Sequence, residues 1–304
     1  MSVKRFLGVI LVLVGIVALI QYKFGDKSAS LDYDRTWTFD NTELKELTIV
    51  SDSMGLDVKF VKSTDGSNSV RITGRAKEDV VDEVKSTDLE DGQLKIDLKG
   101  KWRFNLFDFS AFRSNNQSVT VTLTDEARKS LETLNISADS GSLNAAGAAA
   151  RNGTFKSDSG SIRLEGFEGD TLSLKSDSGS IKLSDYQGTE LSIKSDSGSI
   201  HGENIRAEVK ASSDSGSITF DRLSGTAQVS SDSGRIELTK EDSTGANVKS
   251  DSGSVRIEVP ASYSGTYDLK SDSGSVREPD QHGTSGEVIK VRTDSGSIRV
   301  EQNQ

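Results

Sequence analysis

The chain has 304 residues, enough for one or two domains, with 6% aromatic residues, two prolines and no cysteine. The lack of cysteine excludes a disulfide scaffold, a thiol nucleophile and thiolate metal sites. The formal net charge of −10 lies wholly beyond the basic segment 1–30, and it disfavours nucleic acid, whose binding depends on neutralising phosphates.

Behind Lys4 and Arg5 runs FLGVILVLVGIVALI, Phe6–Ile20, an unbroken apolar stretch. A cleaved signal peptide needs small residues just after such a run. The nearest here, Ser28 and Ala29, lie further on in a polar segment. Counted on to Tyr22, the run reaches the short end of what a spanning helix needs. The sequence predicts a transmembrane signal-anchor at 6–22, residues 1–5 in the cytoplasm, a linker at 23–32 and the rest extracytoplasmic. Whether the anchor is cleaved stays open.

Residues 33–133 alternate like strands without a clean period. ELTIVSDSMGLDVKFV (46–61), SVRITGRA, QLKIDLKG and SVTVTLT (118–124) read as strands, the first around a decayed Ser-Asp-Ser turn with Met54 before Gly55. KEDVVDEVKS (77–86) reads as a short helix and DEARKSLE (125–132) as a helical turn. Irregular β coils and a cap are predicted for this half, with an independent small domain as the alternative. Within it, KWRFNLFDFSAFR (101–113) gathers Trp102, Phe104, Phe107, Phe109 and Phe112. It reads either as an edge-covering loop or as an interaction patch for a partner or an anionic membrane surface.

From residue 134 to 304 a turn, Asp-Ser-Gly, recurs nine times. The aspartates are Asp139, Asp158, Asp177, Asp196, Asp214, Asp232, Asp251, Asp272 and Asp294. Their successive numbers differ by 19, 19, 19, 18, 18, 19, 21 and 22, the signature of a repeat architecture. The two long steps hold Pro260 and Pro279, and read as small insertions on a regular coil. Counted from each Asp, positions −5, −3, +4 and +6 are apolar at 33 of 36 sites, the exceptions being Gly153, Gly202 and Glu278. Positions −4 and +5 are always polar. This period-2 pattern on both sides of the turn predicts two half-buried strands per repeat.

An antiparallel meander and a β-solenoid both fit two strands per repeat. The meander would leave its apolar face uncovered, since no helix or second sheet follows to cover it. The predicted fold class is therefore all-β: a single β-solenoid, parallel β-helix-like, of about 19-residue coils. One coil buries too little to offset its ordering entropy, so the coils must stack.

Each turn Asp is expected to close an Asx-turn with its side chain. The turn glycines, Gly141, Gly160, Gly179, Gly198, Gly216, Gly234, Gly253, Gly274 and Gly296, are expected to take a left-handed backbone. Looser second corners fall at Gly169, Gly188, Gly225, Gly245 and Gly265.

Catalysis by the repeated Ser and Asp needs a base within reach. The only histidines are His201, at an outward +5 position, and His282. No catalytic residue, cofactor or phosphate loop is predicted. The stacked Asp column could attract Ca²⁺ as a minor reading. Basic residues at −2 (Lys156, Lys175, Lys194, Lys249, Lys270, Arg292) and +5 (Arg163, Lys182, Arg256, Arg277, Arg299) share its face, so self-compensation is the main expectation.

The N-terminal anchor, the degenerate first half and the KSDSGSI turns together resemble the LiaG-like family of membrane-anchored bacterial β-strand-repeat proteins, classed as adhesins. The resemblance spans essentially the whole chain, most specifically Asp139–Val300. It implies an extracytoplasmic solenoid with an envelope-stress role and implies no catalytic residues. The expected function is non-enzymatic binding at the cell membrane, with an envelope component or a membrane protein as partner. A regulatory accessory acting through the membrane segment is the alternative.

Overall fold

The structure is a computed structural model that describes residues 30–100, 116–279 and 283–303. The predicted anchor at 6–22 and the aromatic segment at 101–113 lie outside the described residues. Among the described residues no helix is long and apolar enough to cross a membrane.

Each repeat folds as strand, turn, strand, and through the middle of the chain each strand pairs in parallel with its counterpart one repeat away. Before the turn, Thr133–Ala138, Asn152–Ser157 and Thr171–Ser176 form one ladder, with Leu134 on Gly153 and Leu172 on Gly153. After the turn, Leu143–Ala149, Ile162–Glu168 and Ile181–Ser195 form the second, with Leu143, Ile162 and Ile181 in one row. Like therefore stacks on like, and outside the Asp272 coil the apolar sites at −5, −3, +4 and +6 fill a core between the ladders. Gly153 and Gly202 are not defects of this core. A Cβ on Gly153 would lie 2.5 Å from Phe167, and one on Gly202 2.4 Å from Phe220, so each glycine makes room for a phenylalanine ring.

The coils do not stack in chain order at either end. β1 is Leu31–Phe39, β2 Glu46–Ser51, β3 Leu56–Lys62, β4 Asn68–Ala76, β5 Gln93–Asp97 and β6 Gln117–Leu123. β2 pairs with Thr133–Ala138 on one side and β5 on the other, while β3 lies between Leu143–Ala149 and β6. The coil built from β2 and β3 is thus inside the stack, and a later one covers it. β4 runs antiparallel to β6 and β1 antiparallel to β4, which ends the parallel stacking.

Two helices close this end. α1, Glu78–Ser86, buries Val80, Val81 and Val84 and carries acidic residues in its first turn and Lys85 in its last, as the helix dipole favours. α2, Asp125–Ser130, starts at Thr124, whose hydroxyl accepts from the Ala127 N–H at 3.2 Å.

The C-terminal end repeats the device. Ala246–Ser250 pairs with Val288–Thr293, and Thr266–Ser271 pairs with Val288–Thr293 from the other side. The last coil in sequence is therefore inserted beneath the Asp272 coil, which ends the rod. This corrects the expectation that the two long steps are small insertions on a regular coil. They carry the chain out past one rung and back again.

Candidate functional site: the turn edge

The nine turns and the decayed one at 51–55 form a continuous edge. Their backbones continue the ladder, with the Ser159 N–H donating to the Asp139 carbonyl at 3.0 Å, Ser178 to Asp158 at 3.0 Å and Ser197 to Asp177 at 3.0 Å.

The turn glycines are needed for a different reason from the one expected. None of the nine has a positive φ. Instead a Cβ on Gly179 would lie 2.0 Å from the carbonyl oxygen of Gly160, and one on Gly198 2.1 Å from that of Gly179. The backbones of successive turns approach too closely for any side chain.

The aspartates do not close the turns either. Among the described residues no turn Asp carboxylate accepts a turn N–H. In the inner coils the serine just before the Asp does so. Its parity is inward, like −5 and −3, and Ser157, Ser176, Ser195, Ser213, Ser231 and Ser250 are buried. Ser195 Oγ accepts from the Gly198 N–H at 2.9 Å and donates to the Gly179 carbonyl oxygen at 3.3 Å. Ser176 does the same with Gly179 and Gly160 at 2.8 and 3.4 Å. Thr293 takes the same role for Gly296 at 2.9 Å. The sequence pattern does not single out this buried serine column, because Asp-Ser-Gly is the more conspicuous part of the repeat. Its inward parity was the available signal.

Free of that duty, three of the aspartates pair with their −2 lysines. Lys175–Asp177 is 3.3 Å, Lys194–Asp196 3.4 Å and Lys270–Asp272 3.0 Å. Lys99 reaches Asp139 at 3.0 Å, and that bond raises the lysine pKa. Arg292 instead binds Asp268 on the neighbouring rung. Two of the +5 arginines near the C-terminal end pair elsewhere. Arg256 binds Glu258 and Glu301 at 2.9 and 2.8 Å, and Arg299 binds Glu301 at 2.8 Å. Among the described residues no group of three or more His, Asp or Glu side chains is placed to hold a metal.

The left-handed residues sit on the opposite corner. Gly147, Gly166, Asp185, Asn204 and Arg222, each at +8 from its Asp, have φ values of 63°, 74°, 58°, 56° and 56°. Of the second-corner glycines only Gly225 has positive φ, at 109°. Tyr186 closes this corner, its hydroxyl donating towards the carbonyl oxygens of Asp170 and Glu190 at 3.0 and 2.9 Å.

One rung beyond Arg222, Lys240 turns inward and is 2% exposed. Its Nζ donates to the Gly225 carbonyl oxygen at 2.5 Å and to Thr244 Oγ1 at 2.7 Å, and pairs with Asp242 at 3.1 Å. Burial pushes the Lys240 pKa down, against the pull of Asp242. Burial also opposes the Asp242 charge, yet the Gly225 N–H, Lys240 and Thr244 hold its pKa below the usual value. All of these bonds serve the corner, so the pair is a buried fastening.

Two in-register parallel ladders joined by close-stacked turns define an all-β solenoid of the repeat class. The Toastrack DUF4097 family matches residues 44–301, and the chain belongs to that family. Solved structures of low identity are similar to the chain over most of its length. A "putative adhesin" of Bacteroides fragilis is 15% identical, with 90% of this chain and 98% of its own covered and a TM-score of 0.45. A "putative lipid binding protein" of Parabacteroides distasonis is 18% identical, covering 88% and 96%, with a TM-score of 0.49. A "putative adhesin" of the same species is 12% identical, covering 90% and 98%, with a TM-score of 0.40. At these values the likeness assigns no function. No curated protein matches the chain.

Proposed function

We propose that the protein is a non-enzymatic binding rod of the cell envelope, held to the membrane by residues 6–22 in the manner of LiaG-like proteins and displaying its solenoid outside. The observation that supports this best is the fate of the repeated serine just before the turn Asp. A hydroxyl buried between Gly198 N–H and the Gly179 carbonyl is part of the scaffold and cannot serve as a nucleophile. His201 faces Asp221 at 4.0 Å on the outer side of its strand. What remains on the surface are rows of like side chains in register, the feature a solenoid offers to an extended ligand.

The reading is tested in cells. A reporter fused after Gln304 is expected to be active outside the membrane, and crosslinking on intact cells is expected to capture an envelope component. A cytoplasmic C-terminus overturns the reading. If deletion of 1–27 abolishes an envelope-stress phenotype while the purified solenoid captures nothing, the protein is instead an accessory acting through its membrane segment.

A further inference from the structure

The arginines at +5 form a charged row that the charge balance of the turn edge does not absorb. The inverted chain order at the C-terminal end brings three of them side by side. Arg256 lies opposite Arg299, and Arg299 opposite Arg277, on adjacent strands about 4.8 Å apart. Arg235 joins them in a groove of about 280 Å³, which Ser254, Ser275 and Ser297 also line. Like charges directly opposite one another cost stability in a sheet. Glu258 and Glu301 hold Arg256 and Arg299, and Glu237 holds Arg235 at 3.4 Å. Arg277 is exposed and has no carboxylate partner among the described residues. Among those residues the three serine hydroxyls make no side-chain hydrogen bond either. A purely structural row would not need Arg277, and in chain order Arg277 would sit between Arg256 and Arg299 rather than at the open end of the row.

We propose that this groove binds a chain of phosphate groups, a phosphate-bearing polyanion spanning two or more rungs. Guanidinium forks match phosphate oxygens in pairs. The hydroxyls of Ser254, Ser275 and Ser297 add neutral donors between the charges. The row repeats at the strand spacing, so successive phosphates meet successive arginines, which a single anion cannot exploit. In an otherwise acidic chain, four arginines here face Glu237, Glu258 and Glu301, which leaves a local positive excess at the Arg277 end that attracts anions while the rest of the surface repels polyanions. The envelope reading supplies only the setting. Anion binding is measured on purified protein and stands or falls apart from where the protein is displayed.

The test is calorimetry on the full-length protein in neutral detergent. Tripolyphosphate, inorganic phosphate and soluble dihexanoylphosphatidylglycerol are the three probes. Tripolyphosphate is expected to bind at least ten-fold more tightly than either of the others and to weaken as salt rises. Arg277→Gln, at an exposed site without a carboxylate partner, is expected to weaken it about ten-fold with no change in melting temperature. Arg299→Gln is expected to act likewise, and Lys175→Gln on the other row is expected to match the unaltered protein. Binding of inorganic phosphate equal to tripolyphosphate overturns the proposal, as does binding indifferent to Arg277 and Arg299. Tighter binding of the lipid headgroup overturns the polymer as source and assigns the groove to the membrane surface. Hydrogen exchange is the second readout: tripolyphosphate is expected to protect 255–259 and 298–302, and protection confined to other strands overturns the assignment.

Discussion

The middle of the rod and its C-terminal end use the same turn, but their coils have different neighbours. In the Asp177 and Asp196 coils the stack continues on both sides, and Leu172, Leu174, Ile181 and Leu191 are buried. The Asp272 coil has a neighbour on one side only. Tyr267 and Leu269 are half-buried, Val276 is 40% exposed, and the fourth inward site is Glu278. The comparison teaches that burial here is a property of the stack and not of the repeat: the same motif is core in the middle and lid at the end. It also explains the one charged exception to the apolar pattern, since Glu278 belongs to the coil that ends the stack.

Substitution of the turn glycines sharpens that contrast most. Gly198→Ala places a Cβ 2.1 Å from a carbonyl oxygen in the middle of the stack, where neither neighbour can retreat. A loss of about 3 kcal/mol is expected, read as a large drop in melting temperature. Gly274→Ala meets the Gly296 carbonyl at 2.0 Å, but only the outermost coil has to lift away. Local exchange at 266–277 is expected to rise with little change in global melting. Equal losses at both sites would show that the end coil is as firmly held as the middle.

Removing the buried turn hydroxyl comes next. Ser195→Ala leaves the Gly198 N–H without its acceptor inside the stack and is expected to cost about 1–3 kcal/mol in denaturant melts. Ser271→Ala removes a bond from Ser271 Oγ to the Gly296 carbonyl oxygen at 2.8 Å, in a half-exposed coil where water can substitute, and is expected to cost less.

Tyr186 and Tyr263 carry the comparison into pH. Burial pushes both phenol pKa values up from 10 to about 12. A raised folded pKa means the stability is fully present below pH 10 and is lost as pH climbs from 10 through about 12. Tyr186→Phe is expected to flatten this alkaline limb and to cost about 1–2 kcal/mol at neutral pH. Tyr263 lies beside the displaced coil, with its hydroxyl donating to the Thr266 carbonyl oxygen at 3.2 Å. Its loss is expected to show first as exchange at 266–271. An alkaline limb unchanged by either substitution would place the titration elsewhere.

The two-strand coil was legible because residues at −5, −3, +4 and +6 alternate strictly, and a buried face fixes register. The short helices at 78–86 and 125–130 were legible from their spacing. Other features were hidden by their nature. Gly153 and Gly202 look like interruptions because their partners are remote in sequence: Phe167 lies on the other strand of the same coil and Phe220 on the next coil, and such volume matching leaves no local pattern. The turn glycines answer to a cause other than the expected left-handed backbone, since the contact between Gly179 and Gly160 depends on stacking distance and not on the local turn. The exchange of coil order was signalled only by the two long steps that lead to Asp272 and Asp294. The arginine row at +5 was read as balancing the aspartates, because a one-dimensional pattern cannot say which rung lies next to Arg256.

The smallest effect concerns the corner column, where residue type changes while conformation does not. Gly147 and Gly166 start it, Asp185 and Asn204 continue it, and Arg222 closes it at φ 56°. Glycine, asparagine and aspartate visit this region readily, whereas an arginine there carries a steric cost of roughly 1 kcal/mol. What Arg222 has in return is an exposed ion pair with Glu203 at 2.8 Å, which at such exposure contributes at most about 1 kcal/mol. Arg222→Asn removes the strain without the added unfolded-state freedom of glycine, and a gain of about 0.5 kcal/mol is expected in denaturant melts. Glu203→Gln, which removes the pair and leaves the backbone alone, is expected to lose a few tenths of a kcal/mol. Arg222→Val restores neither and is expected to cost about 1–2 kcal/mol, because a β-branched residue resists the left-handed region. If Arg222→Asn loses as much as Arg222→Val, the ion pair to Glu203 and not the backbone sets the choice at this rung, and the corner column is held by its charges.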